Sequence, residues 1–235
     1  MVKMVDLQIG NVKTTALVAL PEGVGPRGGV VLTFHRDGLD KFSEWHCDAI
    51  ARAGYAAIAP NHYHALPQGV SIDDRRDYIT DEQQALDCEA AAYWLIENAN
   101  VDHNRLAVLG PCMGGRTTLV ALEAYPDLWR CGCIWYGGGQ FRGAAGELAP
   151  PGSIERLERV KAPIAGFFGA LDKNPSPADV YKLDALLTQL GKPHAFYRYP
   201  TADHAFLNLL GKRYHKEAAE NSWGIAVEFL RKHIG

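Results

Sequence analysis

Long apolar runs, basic runs and paired cysteine spacings are all missing from this chain. No uncharged stretch approaches the roughly 20 apolar residues that a bilayer-spanning helix needs, and the first residues lack the charged-then-apolar layout of a secretory leader. A soluble cytoplasmic protein with no membrane partner is therefore expected. The formal net charge is -3 and Lys and Arg are scattered, so nucleic acid is not an expected partner. The five cysteines are odd in number and form no metal-type pairs, as suits reduced thiols in an intracellular setting. Cys131 and Cys133 fall on an apolar strand and are read as buried structural thiols facing opposite sides of a sheet. His62 and His64, in Asn61-His62-Tyr63-His64, lack an accompanying HExxH-type motif, and no metal or other cofactor is expected. The remaining histidines outside the motifs below, His46, His103, His194, His215 and His233, form no constellation.

What the chain does have is regular alternation of strand-like and helix-like segments. With 235 residues, 47% of them hydrophobic, it is long enough for a sizeable core, and one domain spanning residues 1–235 is expected. Residues 4–9 and 14–19 read as edge strands, and Gly28-Gly29 leads into the apolar run 30–34, of the type buried on both faces. Helices are expected at 43–53, 81–98, 114–124, 177–190 and 218–233, with strands at 55–59, 106–109, 131–136, 163–168 and 195–199. That order implies an α/β architecture: a mostly parallel, doubly wound sheet with helices on both faces. The segments 61–80 and 137–155 follow strand ends and are expected to surround a site and set its specificity.

One stretch concentrates chemistry. Val108-Leu109-Gly110-Pro111-Cys112-Met113-Gly114-Gly115 reads as a buried strand breaking sharply into a helix, with a thiol at the bend. Glycines at 110 and 114 match the outer positions of a nucleophile elbow, where strand and helix pass closely while the central residue takes a strained turn. An α/β-hydrolase presents its nucleophile this way, and the helix N-terminus favours a thiolate. The alternative is an inert buried thiol beside an ordinary glycine-rich turn. Downstream, Asp172 ends the apolar run 167–171 and His204 follows the strand at 195–199. Nucleophile, acid and histidine thus occur in the order that this fold requires, each at a strand end.

Gly110-Pro111-Cys112-Met113-Gly114-Gly115, Gly169-Ala170-Leu171-Asp172, Ala202-Asp203-His204-Ala205-Phe206 and the segment Gly54 to Tyr63 together resemble the dienelactone hydrolase family. The resemblance covers most of the chain. It implies an α/β-hydrolase fold in which Cys112, Asp172 and His204 hydrolyse a small ester or lactone without a cofactor. It also implies oxyanion donors at the backbone N–H groups of Met113 and Arg36. Where the family has a glutamate touching the resting thiol, this chain has His35. A protonated imidazole there would favour the thiolate that a carboxylate disfavours, the alternative being a histidine that only hydrogen-bonds the loop backbone.

Where the family holds the carboxylate of dienelactone, this chain has Ala205 and Asn208, so a different ester or lactone is expected. Arg75 and Arg76 are candidate anion contacts, a solvated helix start being their other reading. Trp45, Tyr63, Trp135, Tyr136 and Phe206 are candidates to line an apolar pocket or to fill the core. A phosphoester stays open as the bond attacked, because fold and triad do not fix it. The function outside hydrolysis is a small-molecule receptor or a thiol redox sensor using the same pocket. The protein is expected to act as a monomer or homodimer.

Overall fold

Residues 1–23, 25, 27–138 and 155–235 are described by the computed structural model of the chain, without the side chains of Arg76 and Glu155. The strands are β1 (Lys3–Ile9), β2 (Val12–Ala19), β3 (Arg27–Leu32), β4 (Ala56–Pro60), β5 (Val101–Pro111), β6 (Cys131–Trp135), β7 (Ile164–Gly169) and β8 (His194–Tyr199). The helices are α1 (Lys41–Arg52), α2 (Asp81–Ala99), α3 (Met113–Ala124), α4 (Pro177–Gln189) and α5 (Lys216–Ile234). All strands join one eight-stranded sheet in the order β1-β2-β4-β3-β5-β6-β7-β8. The β1–β2 and β2–β4 pairs are antiparallel and the rest parallel, giving the mostly parallel sheet expected.

Alternation along the strands sorts side chains into two cores. Val31, Val108 and Ile134 pack on one face against Leu95 of α2, Leu119 and Leu122 of α3, and Leu183 and Leu187 of α4. Val30, Leu32 and Leu109 pack on the other, against Phe42 and Ile50 of α1 and Leu230 of α5. Each such aliphatic side chain, fully buried, contributes about 1.5–3 kcal/mol relative to exposure. Cys131 and Cys133 are buried as expected, but both belong to the second core. Strand side chains alternate with a period of two, so residues two apart share a face and the opposite-face expectation is corrected.

Several boundaries also differ. β2 is not an edge: its C-terminal half pairs with β4, and the sheet edges are β1 and β8. Gly28 and Gly29 lie inside β3 because neighbours come too close for a side chain. A Cβ on Gly28 would sit 2.6 Å from the Ile234 carbonyl oxygen, and one on Gly29 2.7 Å from Val101 Cγ1. β5 begins at Val101, ahead of the apolar run at 106, because Val101 pairs with Arg27 despite the polar residues 102–105 between them. Among the described residues no helix is long and apolar enough to cross a membrane. The segment 61–80 carries turns and a 3-10 helix at Arg75–Tyr78, while most of the other expected specificity loop, 139–154, lies outside the described residues.

Candidate active site

β5 ends in the bend that carries Cys112, whose φ of 57° and ψ of -121° lie in a region that non-glycine residues rarely occupy. The geometry around it explains the glycines. A Cβ on Gly110 would lie 2.4 Å from the Thr33 carbonyl oxygen, and one on Gly114 2.0 Å from the same atom. Thr33 closes this contact through its hydroxyl, 3.0 Å from the Leu109 carbonyl oxygen and 2.7 Å from that of Gly114. Tyr136 and Ala205, which flank the same region, also take positive φ, 39° and 62°.

α1, α2, α4 and α5 each begin with a side chain accepting a hydrogen bond from the first turn, supplied by Asp40, Thr80, Ser176 and His215 respectively. α3 does not. Its N-cap is Cys112, with no side-chain cap bond, so the N-terminal N–H groups and the dipole of this helix address the thiol and whatever approaches it. The Met113 N–H, first in the helix, is among the groups that lower the pKa of the thiol.

The loops after β7 and β8 are joined by backbone bonds, Ala170 N–H to the Tyr199 carbonyl at 2.9 Å and Leu171 N–H to that of Ala202 at 3.0 Å. They bring Asp172 Oδ2 to 2.8 Å from His204 Nδ1. The other carboxylate oxygen of Asp172 accepts from the Asn174 N–H at 2.8 Å, which fixes the group from behind. His204 and Cys112 border the same cavity, and the imidazole acts on the thiol to lower its pKa. Burial opposes charge on both partners. The Asp172 and Cys112 bonds nevertheless push the imidazole up to about 10. On the thiol, His204, the Met113 N–H and the charge of His35 outweigh burial and hold it below its ordinary value. Both shifts favour the thiolate–imidazolium form of the pair.

His35 follows β3, on the opposite side of β5 from β7 and β8 in the sheet. Its Nε2 lies 2.9 Å from Asp40 Oδ2, so its partner is a carboxylate and not the loop backbone. Burial works against protonation, but Asp40, with Asp37 and Cys112 adding to it, raises the pKa of this imidazole. Asp40 was not singled out from the sequence, although its position before α1 marks it as a cap. His35, Asp37 and Asp40 also form a cluster whose ligand atoms lie within 4.8 Å of one another, the group among the described residues with a metal-like arrangement. The imidazoles of His62 and His64 instead flank the buried Asp87 carboxylate.

Cys112, His204, Asp172, His35, Arg36 and Met113 all border one cavity of about 700 Å³. Tyr136 borders it too, with its ring 5.0 Å from that of His204. Ala205 and Asn208 lie on the same wall, accompanied by cations that the sequence reading missed: Arg116, Lys173 and Arg213. Arg116 is held by Asp81 through both guanidinium nitrogens, while Arg213 lies 3.5 Å from Asp203. Of the expected aromatic lining, Trp135 and Phe206 are fully buried core, and Trp45 stacks on Phe42 at 5.7 Å. Arg75 does not border this cavity. Its guanidinium lies 5.3 Å over the Tyr63 ring and donates to the Asp37 carbonyl oxygen. The Arg76 side chain lies outside the described residues.

A model of the dienelactone hydrolase family matches residues 14–234. The chain belongs to the dienelactone hydrolase family. It is thereby a hydrolase. A Synechocystis protein named "Putative carboxymethylenebutenolidase" is 26% identical over 94% of this chain and 92% of its own. The crystal structure of a "Putative Dienelactone Hydrolase" from Klebsiella pneumoniae superposes with a TM-score of 0.87 at 23% identity, covering 99% of each chain. A dienelactone hydrolase-like promiscuous phosphotriesterase from metagenomic libraries gives 0.83 at 20% identity, over 100% of this chain and 99% of the other. These two structures establish the shared fold.

Proposed function

We propose that the protein hydrolyses a small carboxylic ester or lactone, other than dienelactone itself, through Cys112, His204 and Asp172. The reading is carried by one observation: a thiol on a strained turn at an uncapped helix N-terminus, facing the same cavity as a histidine that an aspartate holds at 2.8 Å. The name carried by the Synechocystis relative, that of a lactone hydrolase, supports the bond class.

The Cys112 thiolate attacks the carbonyl carbon and the carbonyl electrons move to oxygen, which is received by the N–H groups of Met113 and Arg36. His204, already protonated, gives its proton to the departing alkoxide, and Asp172 stabilises the imidazolium and fixes its orientation. The thioester is then attacked by water as His204 takes a proton, and collapse of the second tetrahedral species frees acid and thiol. His35, its protonated form favoured by Asp40, favours the ionised form of the sulfur before substrate arrives. Ala205 and Asn208 stand where the resemblance places the groups that hold the carboxylate of dienelactone, which favours a different ester or lactone; the cations of the cavity are instead Arg36, Arg116, Lys173 and Arg213.

Steady-state hydrolysis of p-nitrophenyl acetate tests this. Cys112→Ala and His204→Gln are each expected to lower kcat by 10³-fold or more, about the cost of removing a member of such a unit, and the double variant to be no worse than either alone. Activity retained in Cys112→Ala would refute the nucleophile. Paraoxon turnover that also requires Cys112 would extend the same site to phosphotriesters, and one-equivalent acylation without turnover would mark a receptor or sensor.

A further inference from the structure

The Asn61-His62-Tyr63-His64 segment does not belong to the three reacting side chains, yet it is held more tightly than an ordinary loop. Asp87 on α2, with its side chain fully buried, accepts from His62 Nδ1 at 2.9 Å on one oxygen. Its other oxygen is met by His64 Nε2 at 3.1 Å and the Gln83 amide at 2.8 Å. Two imidazoles two residues apart therefore clasp one carboxylate. The Asn61 side chain accepts from the Tyr63 N–H at 3.0 Å, and the Leu66 N–H donates to the Tyr63 carbonyl at 3.2 Å. Both flanks of Tyr63 and its own backbone are thus fixed.

The Tyr63 hydroxyl donates to the Arg36 carbonyl oxygen at 2.6 Å and lies 3.5 Å from Met113 Sδ. The ring packs 5.0 Å from Phe34 on one side and under the Arg75 guanidinium, and a Cβ on Gly38 would meet it at 3.3 Å. Burial raises the phenol to about 12, with Cys112 and Asp37 adding to it against Arg75 and Arg36, so the hydroxyl remains a donor over the working pH range. Arg36 and Met113 come from different strand ends, after β3 and after β5, and share no backbone hydrogen bond that would set their spacing. Thr33 ties the two strand ends behind them, and the Tyr63 hydroxyl reaches both Arg36 and Met113 themselves.

We propose that Tyr63 is a positioning residue for the oxyanion site, its hydroxyl joining the Arg36 and Met113 segments while the His62–Asp87–His64 clasp holds the tyrosine in place. The inference rests on the reading of Met113 and Arg36 as oxyanion donors given above. Negative charge appears on the substrate oxygen only in the tetrahedral species, so a loosened donor pair costs transition-state stabilisation and leaves ground-state binding nearly intact.

Tyr63→Phe keeps the ring and removes only the hydroxyl. With p-nitrophenyl acetate, kcat is expected to fall by about 10- to 100-fold, the cost of misplacing a catalytic donor by a fraction of an ångström to an ångström, with KM within about twofold. Alkylation of Cys112 by iodoacetamide builds no oxyanion, and its rate is expected to stay at the wild-type value. Amide exchange over residues 34–38, read without any substrate, is expected to quicken. An unchanged kcat with unchanged exchange would overturn the clamp, as would equal losses in hydrolysis and alkylation, which would mean a general disturbance of the site. Cys112→Ala in the same assay separates the two ideas. A dead Cys112→Ala beside a fully active Tyr63→Phe removes the clamp alone, whereas an active Cys112→Ala removes the nucleophile beneath it.

Discussion

Cys112 lies between two histidine–aspartate pairs, His204–Asp172 and His35–Asp40, and the second replaces what in the resembling family is a negative charge. The raised pKa of His35 favours its cationic form, so its removal withdraws positive charge from beside the thiol. In His35→Gln the apparent thiol pKa, read from iodoacetamide alkylation rate against pH, should rise and the rate at neutral pH should fall. Superimposable profiles would make His35 a structural residue only. The apparent values belong to the coupled thiol–imidazole pair and not to either group alone. His46 carries a different cost. Its ring lies within 5.8 Å of Phe42, Trp45, Trp135 and Trp223, and neither nitrogen has a hydrogen-bond partner among the described residues. Burial, with the charge of His35 adding to it, lowers its pKa from 6.5 to about 3. Between those values the unfolded chain binds the proton and the folded one does not, so stability is lost as pH falls, by at most about 1.4 kcal/mol per pH unit from this group. His46→Leu should flatten the urea-denaturation free energy against pH over that window; an unchanged slope would show that His46 does not titrate as described.

At the scale of the element, the turn from β5 into α3 is set by sterics before any chemistry. Gly114→Ala drives a Cβ to 2.0 Å from a backbone oxygen of Thr33, which no rotamer relieves. The elbow must open, and the variant should lose activity together with at least ~2 kcal/mol of stability, in the range of core overpacking. Retention of both would mean that the elbow tolerates movement. The glycine spacing, the strand-end positions of Asp172 and His204 and the element order were legible because each rests on local pattern: close approach needs glycine, and buried strands need apolar runs. What was not legible depends on side-chain and backbone pairings that local pattern does not encode. Nothing near Asp40 in the sequence points to His35 as its partner, and Asp87, one of several acidic residues on α2, gives no sign that it ties down both His62 and His64. The early start of β5 was hidden because polar residues 102–105 interrupt its pattern while the backbone continues to pair.

At the scale of the molecule, one sheet carries the groups of the proposed site at its strand ends: His35 after β3, Cys112 after β5, Asp172 after β7 and His204 after β8. The two cores lie on either side of that sheet and share its strands, so the site cannot be assembled from parts that fold separately. We therefore propose a single domain, which should give one calorimetric transition with equal calorimetric and van't Hoff enthalpies. Two resolved transitions would divide the chain. The decisive measurement is the intact mass of the protein during reaction with p-nitrophenyl acetate, quenched at successive times, for the wild type and Cys112→Ala. A transient gain of one acetyl group on the wild type, mapped to Cys112, decaying as turnover ends and missing from the variant, is the outcome that a cysteine acyl-enzyme requires. Turnover in the variant, or an acetyl group resident on another side chain, would take Cys112 out of the reaction.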